Sequence, residues 1–235
     1  MNEFKNPVNR LKNTILFFGR RNCNYSENAA KLIRQYDFNL FDFYSNDKSD
    51  SIPKKAYDLE IDYIICFRSW LILPESILKK VKKYSINFHP GPPAYPGSGC
   101  VNFSIYNQEE KYGVTIHLME KKVDSGKIID YELFPVSSNQ ILLEVLEQTH
   151  LKLFRSFQNF IKNFKKEGDN YILRKLQENE NVKWAQKKRK VSDLEFHREI
   201  AAEISEEDLN RRIKAFHHPN FPLFIKLYGK KFYLK

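Results

Sequence analysis

The chain has 235 residues, enough for one domain or for one domain with a small appendage. Hydrophobic residues make up 42% and aromatics 14%, with only 8 Gly, which excludes collagen-like, low-complexity and mostly disordered chains. Lys and Arg outnumber Asp and Glu by 39 to 29, and residues 151–190 alone hold nine Lys and three Arg against four acids. Such a segment fits a nucleic acid, an anionic lipid surface, a phosphorylated ligand or plain solvated helix surface.

No run reaches the ~18 consecutive apolar residues of a membrane helix, so no span is expected. The opening Met1-Asn2-Glu3-Phe4-Lys5-Asn6-Pro7 has no apolar h-region, so no secretory signal is expected either. Cys23, Cys66 and Cys100 are odd in number and widely spaced, which points to a reducing cytoplasm without a disulfide framework.

In chain order, Thr14–Gly19 reads as a buried parallel strand ended by glycine. Ser26 is placed to cap a helix over Glu27–Tyr36. Phe38–Phe43 and Ile61–Phe67 are the second and third strands, and Pro74-Glu75 opens a helix predicted to run through Lys83. Ser85–His89 is the fourth strand. Strand–helix alternation with short links predicts an open α/β sheet. Tyr112–Met119 and Lys127–Phe134 are two more strands joined by a short link. From Asn139 to Phe164, Leu142, Val145, Leu146, Leu153, Phe157, Phe160, Ile161 and Phe164 recur at helical spacing, with Gly168 as the stop. Beyond about residue 180, Ser205 caps a helix running to Phe216, and Leu223–Leu227, Tyr228-Gly229-Lys230 and Lys231–Leu234 read as a terminal β-hairpin turned at Gly229.

The segment Asn87–Gly99 carries the most chemistry. Its first half is a strand and its second half a stiff loop with four prolines and three glycines. Alternation puts Asn87 and His89 on one face of the strand, at the end where open α/β sheets collect ligands. An imidazole moves protons near neutral pH, and an amide N–H steadies a developing oxyanion. No serine or cysteine with triad context lies nearby, so the pair suits attack on a carbonyl by a nucleophile the substrate brings. Asp124, in Val123-Asp124-Ser125-Gly126, is placed to orient the imidazole or to carry its proton onward; a turn aspartate bonding its own backbone is the alternative. Gly97 and Gly99 allow close approach of the backbone to a substrate ahead of a helix beginning near Cys100.

These features resemble the folate-dependent formyltransferases: the Asn-x-His-Pro pair, the Pro/Gly loop after it and the downstream Asp-Ser-Gly. The resemblance implies an α/β, Rossmann-like catalytic domain over residues 1–180 and a small C-terminal subdomain over 181–235 that ends in the hairpin. It implies 10-formyltetrahydrofolate as the one-carbon donor, no metal, and a catalytic trio of Asn87, His89 and Asp124. Phe67-Arg68-Ser69-Trp70-Leu71-Ile72-Leu73-Pro74 resembles the pterin-binding loop, which assigns Phe67, Arg68, Ser69 and Leu73, with Asp124, to the folate.

Gly91-Pro92-Pro93-Ala94-Tyr95-Pro96-Gly97 stands where many members have a Ser-Leu-Leu-Pro type of loop. With Asn102-Phe103 and Tyr106-Asn107 after it, this version is similar to the sugar N-formyltransferases, above all those formylating dTDP-4-amino-4,6-dideoxyglucose for bacterial surface polysaccharides such as the O-antigen of lipopolysaccharide. That likeness implies a cytoplasmic homodimer whose partners are folate and a nucleotide sugar, with neither membrane nor nucleic acid. Arg20 and Arg21 are then expected at the diphosphate, Trp184 against the base, and Tyr95, Gly97, Gly99 and Asn102 along the sugar. Methionyl-tRNA and glycinamide ribonucleotide are the other acceptors within the family. A basic nucleic-acid-binding protein is the reading outside it, although Phe157, Phe160, Ile161 and Phe164 are better explained as core.

Overall fold

The computed structural model describes residues 12–235; the opening Met1–Pro7 lies outside them. Its elements are β1 (Thr14–Arg20), α1 (Asn24–Gln35), β2 (Asn39–Ser45), a 3-10 turn (Lys54–Asp58), β3 (Ile61–Phe67), α2 (Glu75–Leu78), β4 (Val81–His89), α3 (Cys100–Tyr106), β5 (Lys111–Leu118) and β6 (Ile128–Pro135). After these come α4 (Leu142–Glu167), α5 (Asp169–Glu178), α6 (Val191–Arg198), β7 (Glu199–Ile200), α7 (Glu206–Phe216), β8 (Phe224–Leu227) and β9 (Lys230–Tyr233). Six strands form one sheet in the order β2-β1-β3-β4-β5-β6. The first four are parallel, and β5 and β6 run antiparallel. The chain is an α/β protein. Among the described residues no helix is long and apolar enough to cross a membrane.

Strand periodicity sorts the core into two layers. Ile15 and Phe17, Tyr63, Ile65 and Phe67, and Ile86 and Phe88 face α1 and α4. Leu16, Phe18, Ile64 and Cys66 face the other side, toward Leu73 and Ile77. Strands buried on both faces explain the unbroken apolar runs of β1 and β3. The helical stripe of α4 covers the first layer: Phe157 lies 5.1 Å from Phe67 and 4.9 Å from Phe88, ring centre to ring centre. The basic segment 151–190 therefore folds as amphipathic helix as far as Glu178 and as a non-helical strip beyond it. Several of its cations are spent on neighbours, Lys152 on Glu132, Lys175 on Asp130 and Arg174 on Glu167 and Glu178.

Two expected elements differ. Ser26 does not cap α1; Cys23 occupies that position. The Ser26 hydroxyl is buried, accepts from the Arg20 N–H and donates to the Phe67 carbonyl, tying the ends of β1 and β3 together. The helix after Pro74 stops at Leu78 instead of Lys83. From Val81 the chain pairs with β3, Ile61 opposite Val81, and the ladder replaces the helical bonds. Ser205 does cap α7, its hydroxyl accepting from the Asp208 N–H. The terminal hairpin is not isolated, because β7 adds to β8 as a third strand. Phe157→Ala should cost about 3–5 kcal/mol, since it empties a fully buried aromatic site; chemical denaturation reads this directly.

Candidate active site

Ile86 and Phe88 point toward α4, so Asn87 and His89 project from the opposite face at the carboxyl end of β4. The antiparallel register sets His117 of β5 directly across from Asn87. The Asn87 amide nitrogen donates to His117 Nε2 at 3.0 Å, while His117 Nδ1 donates to the Leu118 carbonyl at 2.8 Å. One amide hydrogen is thereby tethered and the second remains for a ligand.

Asp124 reaches this face from the link between β5 and β6. Its backbone is left-handed, φ +46°, and two residues on a Cβ at Gly126 would stand 1.9 Å from the Leu118 carbonyl oxygen. The link is forced tight, and the carboxylate turns inward, 3% exposed. Its Oδ1 lies 3.5 Å from His89 Nδ1 and 3.4 Å from His117 Nε2. Its Oδ2 accepts from the Gly97 N–H at 2.8 Å. Gly97 has φ +97°, and a Cβ there would meet the Arg189 carbonyl oxygen at 2.3 Å, so only glycine brings that N–H into place.

The Tyr95 carbonyl can only accept, so the 3.1 Å contact with His89 Nε2 fixes a proton on that nitrogen. The proton that titrates is on Nδ1, facing Asp124. Burial by itself lowers the His89 pKa, but the Asp124 carboxylate outweighs it and the value stands at about 9. Burial likewise raises Asp124 by itself; His89 above all, and the Gly97 N–H, reverse this and hold the carboxyl below the ordinary range. The pair is an imidazolium beside a carboxylate at neutral pH.

These groups open on a cavity of about 690 Å³, the size of a small-molecule site. Asn87, His89, Asp124 and His117 line its floor. Cys66, Leu71, Leu73, Leu78, Met119 and Val123 make an apolar slot beside them, of the kind that takes a flat heteroaromatic ring. Of the residues expected from the sequence, Arg20, Arg68, Ser69, Leu73, Gly97, Gly99 and Asn102 also line it. Four are placed elsewhere. The Phe67 side chain is in the core under α4, and Arg21 is exposed outside the cavity. Tyr95 is buried, its hydroxyl bonded to Glu109 and Asn107. Trp184 does not line the cavity. Its Nε1 donates to the Gly126 carbonyl, and its ring stands near-perpendicular to both imidazoles, 4.9 Å from His117 and 5.6 Å from His89, centre to centre, backing both. The strip 185–189 holds it there by bonding along the Pro/Gly loop, Ala185 N–H to Pro93 and Ser98 N–H to Arg189.

Sequence reasoning missed His117, His150, Trp70 and the wall contributed by Leu194, Glu195, Arg198 and Phe221. For His117 the signal is its alternation within β5, which matters only once β5 is known to pair with β4. For the others no local signal exists.

The sequence profile of the family described as "Formyl transferase" matches residues 17–153. The methionyl-tRNA formyltransferase of Mycoplasmopsis pulmonis is 28% identical over 124 residues, 51% of this chain and 42% of that protein. This chain thus spans less than half the length of that relative. Among solved structures, a sugar N-formyltransferase from Shewanella sp FDAARGOS_354 has a TM-score of 0.70 at 17% identity, covering 95% of this chain and 96% of that one. An N-formyltransferase from Helicobacter canadensis, in complex with folinic acid and dTDP-3-aminofucose, has a TM-score of 0.68 at 20% identity, covering 92% and 85%. At these identities the likeness is one of fold.

A raised His89 pKa stabilises the folded state fully below the ordinary histidine value of about 6.5 and loses that contribution as pH rises through the folded value. The lowered Asp124 pKa contributes above the ordinary carboxylate value of about 4 and fades below it. Scanning calorimetry should therefore show wild type exceeding Asp124→Asn by most between these limits, with the advantage declining as pH passes about 9.

Proposed function

The chain belongs to the formyl transferase family, and from that premise we propose that it moves the formyl group of 10-formyltetrahydrofolate onto the amine of a nucleotide-linked amino sugar. The observation that carries this reading is the convergence of Asn87, His89 and Asp124 on one cavity beside an apolar slot. Bound 10-formyltetrahydrofolate supplies the one-carbon unit as an amide carbonyl. Phe67–Leu73 holds the ring through its backbone, and the slot excludes water from it.

Asn87 directs its free amide hydrogen at the formyl oxygen as the amine attacks and charge builds there. His89 enters as an imidazolium, not as the base that an imidazole of ordinary pKa would be. Its positive charge steadies the same oxygen, and its Nδ1 proton passes to the departing folate nitrogen. The ring then takes the proton released by the new amide nitrogen, so the proton count is unchanged over a turnover. Asp124 orients the ring throughout and favours its charged form before and after the turnover.

The acceptor is proposed as dTDP-4-amino-4,6-dideoxyglucose, serving surface polysaccharide and O-antigen synthesis in the cytoplasm. The short Pro/Gly loop and the end-to-end fold likeness to sugar N-formyltransferases support it. The catalytic unit is taken as residues 1–180 with 181–235 as its appendage. A homodimer is supported by the apolar hairpin, where Phe232 and Tyr233 are more than half exposed; light scattering after size exclusion tests it. Methionyl-tRNA is the second reading, favoured by the sequence relatives.

Purified protein with 10-formyltetrahydrofolate should formylate dTDP- or UDP-linked amino sugars in preference to methionyl-tRNA; preference for the tRNA sinks the sugar assignment. Asn87→Ala should lower turnover by about 10²–10³ and His89→Ala by about 10²–10⁴. The profile of kcat/KM should fall as pH rises through about 9, where His89 loses its Nδ1 proton. A rise through the same point would make His89 the initial base.

A further inference from the structure

Two loops must hold still for Asp124 to face His89. One is the link between β5 and β6, which carries Asp124 itself. The other is the Pro/Gly loop, whose Gly97 N–H holds Asp124 Oδ2 at 2.8 Å and whose Tyr95 carbonyl lies 3.1 Å from His89 Nε2. A third segment, residues 184–189, touches both, although its contacts to the link span 58 and 65 residues of chain.

The bonds from this segment to the link bracket Asp124. Trp184 Nε1 donates to the Gly126 carbonyl at 2.8 Å, two residues after the carboxylate, and Lys188 Nζ donates to the Val123 carbonyl, one residue before it. Between these points the Asp124 backbone is left-handed, φ +46°, which is uncommon outside glycine. Such a backbone persists where its surroundings impose it. The link's own side-chain bond, from the Ser125 hydroxyl to the Lys122 carbonyl at 2.6 Å, is exposed and contends with water. The indole of Trp184 is half-buried, so its bond is electrostatically the stronger of the two.

The bonds to the Pro/Gly loop are backbone ones. Ala185 N–H donates to the Pro93 carbonyl at 2.9 Å, Arg189 N–H to the Pro96 carbonyl at 3.3 Å, and Ser98 N–H to the Arg189 carbonyl at 2.9 Å. Gly97 and Arg189 form an isolated parallel bridge, so close that a Cβ on Gly97 would not fit. Arg189 is in turn held with its guanidinium 3.9 Å from the centre of the Phe103 ring of α3. The side chain that fixes the link also packs on the rings beside the carboxylate, since Trp184 stands near-perpendicular to both His89 and His117.

We propose that Trp184, assisted by Lys188, is a positioning residue for Asp124: residues 184–189 clamp the two loops together and so set the approach of the carboxylate to His89 Nδ1. This deepens the catalytic reading above and rests on it. Trp184 lies outside the cavity and acts only through the link and the rings. The catalytic machinery is therefore not complete within residues 1–180.

The test compares wild type with Trp184→Phe, which keeps a ring and removes the indole N–H, and with Lys188→Met, which removes the second bond. Histidine side-chain NMR on the free protein follows His89 across pH. Besides Asp124, His117 of β5 faces His89 at 6.4 Å between ring centres, and Cys100 of α3 at 3.7 Å from Sγ to Nε2. Neither is hydrogen-bonded to residues 184–189, so a moved titration in these variants reports Asp124. Wild type should titrate near about 9, and each variant lower, toward the ordinary value of about 6.5. In steady state Trp184→Phe should lower kcat about tenfold, the size of one lost hydrogen bond. KM for 10-formyltetrahydrofolate and for the acceptor should stay near wild type, and the alkaline limb of kcat/KM should move down with the titration. Wild-type titration and turnover in Trp184→Phe overturn the proposal. So does a fall in kcat without movement of the titration, the mark of a merely loosened fold. A raised acceptor KM at unchanged kcat also overturns it and returns Trp184 to the nucleotide base. Should Trp184→Phe fail to fold, Lys188→Met decides, and a His89 that titrates there as in wild type removes the clamp. A lowered His89 titration in a protein that formylates no amino sugar would keep the clamp and remove the sugar reading.

Discussion

Asp124 sits where two imidazoles, a backbone N–H and a cavity meet, and the rest of the site is arranged around its charge. A buried carboxylate is costly unless it is paired and hydrogen-bonded. Here both oxygens are occupied, one toward His89 and the other by Gly97. Gly97 and Gly126 make that enclosure possible, since a Cβ at either would collide with a carbonyl oxygen. The same enclosure raises the His89 pKa.

The two ends of the cavity follow opposite electrostatic logic. Around Asp124 every charge has a partner within the chain. Around Arg20 and Arg68 the cations face each other, and among the described residues neither is in an ion pair, although Glu147 is near enough to raise the Arg68 pKa against the lowering by burial.

Residues 181–235 contribute side chains and backbone to this site. The strip 185–189 zips onto the Pro/Gly loop and drives Trp184 behind both imidazoles, while Leu194, Glu195 and Arg198 of α6 close one wall. The loop's prolines leave its carbonyls as acceptors for that strip, which explains how so stiff a segment is fastened without forming a sheet of its own.

The strand alternation that pairs Asn87 with His89, the apolar stripe of α4 and the cap at Ser205 were legible in the residues, because each is a matter of local geometry. The Asn-x-His-Pro and Asp-Ser-Gly segments were legible too, since each carries its chemistry within a few residues. The sequence by itself determined the α/β class, the catalytic trio's candidates and the family they resemble. Only the tertiary structure decided that α2 ends early, that His117 joins the trio, that Trp184 backs the imidazoles and that Arg68 meets Arg20 and His150. Each of those depends on which strand lies beside which, and a contact between residues dozens of positions apart leaves no trace in the spacing of either one.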